Sequence, residues 1–268
     1  MPKIRVYLGG PVAPSCTINK TKSSSSCLQL ELVLFYYLCP VIPDLTGDLT
    51  RNRRAVPHSP MKILIDNGHG IQTKGKRSPD GKLLEYAYTR ELARRIVKTL
   101  KSRGYDSELL VPEDDDIPLS ERVRRVNELC LTYEPSCPAP TGHPNVILIS
   151  LHVNAAGDGS KWMNATGWSC YTCKGQTESD RLATCLYDAA IKNFPDKRIR
   201  TDFSDADSDW EEGFYILKKS LCPAVLTENF FMDKLSDRDY LQSEVGKQAI
   251  VDTHIEGIAE YLSWLQSI

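Results

Sequence analysis

The uninterrupted apolar run Asn145-Val146-Ile147-Leu148-Ile149-Ser150-Leu151 constrains the fold of this chain more than any other feature. A strand with one wet face alternates apolar and polar residues. A run without alternation reads as a central strand covered on both faces. Covering both faces takes helices on either side of a sheet, and the rest of 61–268 supplies that pattern. Strands are expected at 61–66, 107–111, 168–173, 214–217 and 224–226. Tyr88, Leu92, Ile96 and Leu100 recur every fourth residue with Ala93 and Val97 beside them, which predicts a helix over 85–103 closed by Gly104. Leu119, Val123, Val126 and Cys130 mark a second helix. Thr177 and Asp180 form a capping box before a third, which bears Leu182, Cys185, Leu186 and Ala189. Val251, Ile255, Ile258, Leu262 and Leu265 stripe the last. The fold class is α/β: a mainly parallel or mixed central sheet flanked by helices.

Residues 1–60 read differently. They hold Pro and Ser clusters, one apolar run at 28–43 interrupted by Glu31, and a basic polar stretch at 51–60. No helix or strand period is sustained there, so this part is expected to be an N-terminal appendage with a linker. A single catalytic domain is expected over 61–268, and Met61, at its first residue, is an alternative start. No run of 18 apolar residues occurs, so no segment spans a membrane. The 28–43 run follows Ser23–Ser26 in place of a compact basic region, unlike a standard signal peptide.

Charge narrows the function classes. Lys and Arg total 33 against 35 for Asp and Glu, a net charge of −2. That balance argues against nucleic acid as a partner, because affinity for phosphate backbones comes from clustered positive charge. A neutral or mixed-charge substrate fits better. The nine cysteines are odd in number and scattered, which favours free, mostly buried thiols over a disulfide framework.

Three strands run into residues that are expensive to bury: Asp66-Asn67-Gly68-His69-Gly70, Ser150-Leu151-His152-Val153-Asn154 and Thr227-Glu228-Asn229. Sites in open α/β sheets form beyond the carboxyl ends of the strands. Glu85 opens the first helix and lies near the same edge. Two imidazoles and one carboxylate leave a fourth position free, which is how catalytic zinc is held. Asp66 is a candidate acceptor behind a ligand. Taken singly, a histidine in a turn is ordinarily a satisfied polar residue, and Glu85 would simply favour a helix N-terminus.

Residues 61–265 resemble the zinc-dependent N-acetylmuramoyl-L-alanine amidases, the cell-wall amidases that include phage and sporulation lysins. Asp66-Asn67-Gly68-His69-Gly70 is similar to the family's Asp-Pro-Gly-His-Gly. Ser150-Leu151-His152-Val153-Asn154-Ala155 is similar to its Ser-Ile-His-Ala-Asn-Ala. Leu84-Glu85, Leu119-Ser120-Glu121-Arg122, Gly213–Lys218 and Pro223-Ala224-Val225-Leu226-Thr227-Glu228 match in the same order. The resemblance implies one zinc per chain bound by His69, Glu85 and His152, with Glu228 acting on water. It further implies hydrolysis of the amide between N-acetylmuramic acid and L-alanine in peptidoglycan, at the cell wall. Asn67 replaces the usual proline, and Asn229-Phe230 replaces the usual Gly-Phe. The alternatives are a zinc exopeptidase or other amidohydrolase, and a wall-binding module without turnover. The sequence leaves stem-peptide preference, route of delivery and oligomeric state open.

Other signals are discounted. Cys170 and Cys173 form a C-x-x-C pair without a second pair at finger spacing, on a strand that points them to opposite faces. Asp205-Ala206-Asp207-Ser208-Asp209 mimics the start of a calcium loop, but Trp210 and Ile216 stand where glycine and glutamate are required. His58, His143 and His254 receive no role.

Overall fold

A computed structural model describes residues 61–133, 145–204 and 207–268. The apolar run becomes β3 (Val146–Asn154), flanked in the sheet by β1 (Lys62–Asn67) and β6 (Ala224–Phe231). The full order is β2-β1-β3-β6-β4-β5, with β2 at Asp106–Leu109, β4 at Ser169–Thr172 and β5 at Trp210–Glu211. Neighbouring strands are parallel except β4 against β6, so the sheet is mixed.

Both faces of β3 are covered. Ile147, Ile149, Leu151 and Val153 pack into one core with Leu92 and Ile96 of α1 (Glu85–Ser102), Leu182 and Leu186 of α3 (Glu178–Asn193), and Ile255 and Ile258 of α6 (Glu244–Ser267). Val146 and Leu148 face the opposite core with Val123 and Val126 of α2 (Leu119–Thr132) and Ile216 and Leu217 of α4 (Tyr215–Lys219). Each large aliphatic side chain buried in this way contributes about 1.5–3 kcal/mol. Cys170 belongs to the first core and Cys173 packs against the second, the opposed placement expected of them. The described cysteines are free thiols.

The capping box forms as expected: Thr177 Oγ1 accepts from the Ser179 N–H (3.1 Å), and the Asp180 carboxylate accepts from the Thr177 N–H (2.5 Å). The expected strand at 214–217 does not form; the segment is helix α4. Ile216 and Leu217 are adjacent and both pack into the second core, whereas a strand would turn them to opposite faces. The Lys218 N–H donates to the Phe214 carbonyl (2.9 Å) and closes the turn. The strand expected at 224–226 continues to Phe231, and a further helix, α5 (Leu235–Gln242), follows it. Residues 1–60, with the boundary drawn at Met61, and His58 and His143 lie outside the described residues.

Candidate metal centre

β1, β3 and β6 are neighbours, so their carboxyl ends bring His69, His152 and Glu228 to one edge; His152 and Glu228 are register partners. Just beyond β1, His69 takes a left-handed backbone (φ 61°), a conformation disfavoured for a residue with a Cβ. Two buried arginines hold it there. Arg90 Nη1 (2.9 Å) and Arg122 Nη2 (3.2 Å) both donate to the His69 carbonyl. Arg122 Nη1 also donates to the Asn67 carbonyl (2.7 Å) and to Asp66 Oδ1 (2.7 Å). Asp66 Oδ2 accepts from Ser150 Oγ (2.6 Å), so both oxygens of Asp66 serve the loop and strand β3, and Asp66 does not back a ligand histidine.

Gly68 is required by close approach. A Cβ there would come within 2.4 Å of His152 Cε1, inside the imidazole. His69 and His152 therefore meet edge to face, ring centroids 5.0 Å apart. Glu85, the first residue of α1, reaches both. Its Oε1 accepts from the Val153 N–H (3.0 Å) and lies 3.1 Å from His152 Nδ1, and its Oε2 lies 3.4 Å from His69 Nε2. Glu85 is 1% exposed, and its Oε2 has no hydrogen-bond partner.

Burial pushes His69 down to about 4, against the pull of Glu85, so its imidazole is neutral at pH 7. Burial also opposes charge on His152, but the hydrogen bond and charge of Glu85 outweigh it, and the net shift is upward. Glu228 is pushed up to about 7 by burial, with the negative charge of Glu85 adding to it; His152, Lys76 and Arg200 oppose the rise. Its Oε2 has no hydrogen-bond partner.

Each of the four expected site residues is thus at one locus. One donor atom each from His69, Glu85 and His152 lies within 4.8 Å of the others. Two neutral-capable imidazoles and a carboxylate are the donor set of a catalytic zinc site. The unpartnered, buried Glu85 Oε2 is an acceptor for which a cation is the natural complement. The residues present fit the ion.

Sequence reasoning missed Arg90 as a support, and quoted Arg122 and Asn229 without a role. Asn229 Nδ2 donates to the His152 carbonyl (3.0 Å), and its Oδ1 accepts from Trp168 Nε1 (3.0 Å), tying β3, β6 and the residue just before β4 together. Phe230 then takes a positive φ (64°) where the pairing shifts register between His152 and Asn154. The Asn229-Phe230 departure is therefore built into the local backbone. His254 is buried away from the cluster, bonded to Thr227 Oγ1 (2.9 Å) and the Ile250 carbonyl (2.7 Å). Of the discounted acidic run, Asp207 and Asp209 meet Asp180, with carboxylate oxygens within 4.8 Å of one another. Burial, with Asp207 and Asp180 adding, pushes Asp209 up to about 7.

The family described as N-acetylmuramoyl-L-alanine amidase matches residues 63–260. The N-acetylmuramoyl-L-alanine amidase CwlM of Bacillus licheniformis is 26% identical over 204 residues, covering 74% of this chain and 68% of that protein. The sporulation-specific N-acetylmuramoyl-L-alanine amidase of Bacillus subtilis is 26% identical over 202 residues, covering 75% and 68%. Among solved structures, an N-acetylmuramoyl-L-alanine amidase from Clostridium difficile 630 superposes with a TM-score of 0.61 at 23% identity, over 76% of this chain and 97% of that one. The last of these establishes a shared fold.

Proposed function

This chain belongs to the N-acetylmuramoyl-L-alanine amidase family, and from that premise we propose that it hydrolyses the amide between N-acetylmuramic acid and L-alanine, using one zinc ion held by His69, Glu85 and His152. The observation that carries the ligand assignment is the convergence of those three donors, with Glu85 Oε2 buried and unpartnered between them.

Bound there, zinc supplies Lewis acidity toward the amide carbonyl and toward water. The chain's own residues do the rest. Neutral His69 offers a lone pair without competition from a proton. Glu85 is fixed by the Val153 N–H, which orients its carboxylate toward both histidines. Arg90 and Arg122 hold the loop that presents His69. Glu228 stands beside this set without belonging to it. A carboxyl poised near neutrality can take a proton from water and deliver it to the leaving nitrogen. The amide breaks, releasing a carboxylate on the sugar side and a free amine on L-alanine.

The family match favours this reaction over an exopeptidase, and the presence of Glu228 beside all three ligands favours turnover over binding alone. The substrate partner is peptidoglycan, which places the activity at the cell wall. Among the described residues no helix is long and apolar enough to cross a membrane. The test is mass spectrometry of peptidoglycan fragments after incubation with the zinc-loaded protein. Peptides with a new N-terminal L-alanine are expected; fragments cut only within glycan strands or between stem residues would refute the assignment.

A further inference from the structure

Asp180, Asp207 and Asp209 converge on one point from two parts of the chain. Each contributes a carboxylate oxygen, and the three lie within 4.8 Å of one another. Asp180 sits in the first turn of α3, where it accepts from the Thr177 N–H (2.5 Å). Asp209 immediately precedes β5, and its Oδ2 accepts from Thr172 Oγ1 at the end of β4 (2.5 Å). Its other oxygen, Oδ1, is buried without a hydrogen-bond partner, on a residue only 2% exposed. Asp207 Oδ1 is buried and unpartnered as well.

A cluster of surface carboxylates normally points into water and needs no ion. Asp209 has no such outlet. A buried acceptor without a donor is costly, and a carboxylate closed in with two others more so. Among the described residues none of the three pairs with a lysine, arginine or histidine. The raised carboxyl of Asp209 reflects the same crowding. A proton held there relieves one of three negative charges and leaves the other two facing each other; a divalent cation relieves more.

The donors identify the ion. All three are carboxylate oxygens, which suit a hard cation. Calcium binds oxygen at 2.3–2.6 Å, so two of its ligands can stand up to about 5 Å apart, whereas magnesium at 2.0–2.1 Å allows only about 4 Å and demands a near-ideal octahedron. Calcium therefore spans the set as it stands. Access is open, because Asp180 and Asp207 are half-buried and residues 174–177 and 203–204 beside them are exposed. The cluster is separate from the zinc centre: Ser169 at the start of β4 pairs with Glu228, and Thr172 is at the other end of that strand. We propose that Asp180, Asp207 and Asp209 form a structural calcium site that clamps the segment preceding β5 onto the first turn of α3. This is not the loop motif set aside on sequence, since the third carboxylate comes from α3 and neither Trp210 nor Ile216 takes part. The inference stands apart from the amidase reading.

The test titrates CaCl2 into the full chain, carrying one equivalent of zinc in calcium-free buffer at pH 8, and follows binding by calorimetry and stability by urea unfolding. One calcium per chain is expected, with Kd of about 10⁻⁴–10⁻³ M, the weak end of protein calcium sites. At about 10 mM CaCl2 the folding equilibrium should then shift toward the native state by about tenfold to a hundredfold. MgCl2 at equal ionic strength should shift it far less. Asp209→Asn and Asp207→Asn should each abolish the calcium effect with zinc content unchanged; half-buried Asp207 provides the variant that folds if Asp209→Asn does not. Absence of saturable calcium binding overturns the proposal. So does an equal response to calcium and magnesium, which marks charge screening, or calcium binding retained in the Asp207 variant.

Discussion

Glu228→Gln separates proton transfer from metal binding and from folding. The side chain keeps its volume and its place opposite His152 in the β3–β6 register. Burial has raised the carboxyl from 4.5 to about 7, and that climb corresponds to roughly 3 kcal/mol. A raised acid binds its proton more tightly in the folded chain than in the unfolded one. Its contribution to stability is therefore present below the unfolded value of 4.5 and lost as pH rises through about 7. A carboxamide does not titrate, so metal-free Glu228→Gln should be at least as stable as wild type at pH 8, by urea unfolding. Catalysis should move the other way. General acid–base groups contribute roughly 10²–10⁴ in rate, so turnover should fall by at least that factor with zinc content unchanged. Wild-type kcat/KM should rise with pH and level off at or below about 7, since a bound cation favours the carboxylate. That limb should vanish in the variant. Elemental analysis, unfolding and a pH–rate profile on one muropeptide suffice. A fully active Glu228→Gln would refute the mechanism. A variant that lost its zinc while Glu85→Gln retained it would show the two glutamates to be assigned the wrong way round.

Gly68→Ala should retain the fold by circular dichroism but lose most of its zinc, because a Cβ would meet the His152 ring at 2.4 Å; full occupancy would remove the close approach from the argument. Arg122→Gln leaves Asp66 buried with its charge uncompensated, and urea unfolding at pH 7 should show a loss of about 3–5 kcal/mol; a loss under 1 kcal/mol would contradict that role. Asp209 is raised from 3.8 to about 7, so wild-type stability should decline across that interval by at most about 4 kcal/mol. Asp209→Asn should flatten this slope, and parallel pH curves for the two proteins would refute it. A chain beginning at Met61, which is buried in the first core, should unfold cooperatively and keep its zinc; a non-cooperative melt would show that 1–60 completes the core.

The site was legible in sequence because its residues sit where apolar strands stop. His69, His152 and Glu228 each follow or end a run that only a central strand explains, and such ends converge in any α/β sheet. Glu85 opens a strongly periodic helix. The supports were illegible for the opposite reason. Arg90 and Arg122 bond carbonyls of loops that meet only after folding, and a buried arginine on a helix leaves no periodic mark. Asp66 could be placed at the strand end but not aimed, since its partners Arg122 and Ser150 come from distant segments. At 214–217 the residues Phe214, Tyr215, Ile216 and Leu217 suit a strand by propensity, and a run that short does not separate strand from helix. Helix α4 wins there because both Ile216 and Leu217 find the second core.

The strand order carries a consequence for folding time. β1, β3 and β6 are parallel neighbours, so each must wait for an intervening crossover before it can pair. Such long-range closures are slow relative to the local formation of α1. A partly folded chain can bring His69 and Glu85 near each other, since a single connection joins β1 to α1. It cannot add His152 until β3 docks on β1, or Glu228 until β6 docks on β3. The proposed zinc site is accordingly complete only once β3 and β6 have docked, and a molecule in which either strand is unpaired lacks part of the proposed ligand and proton-transfer set.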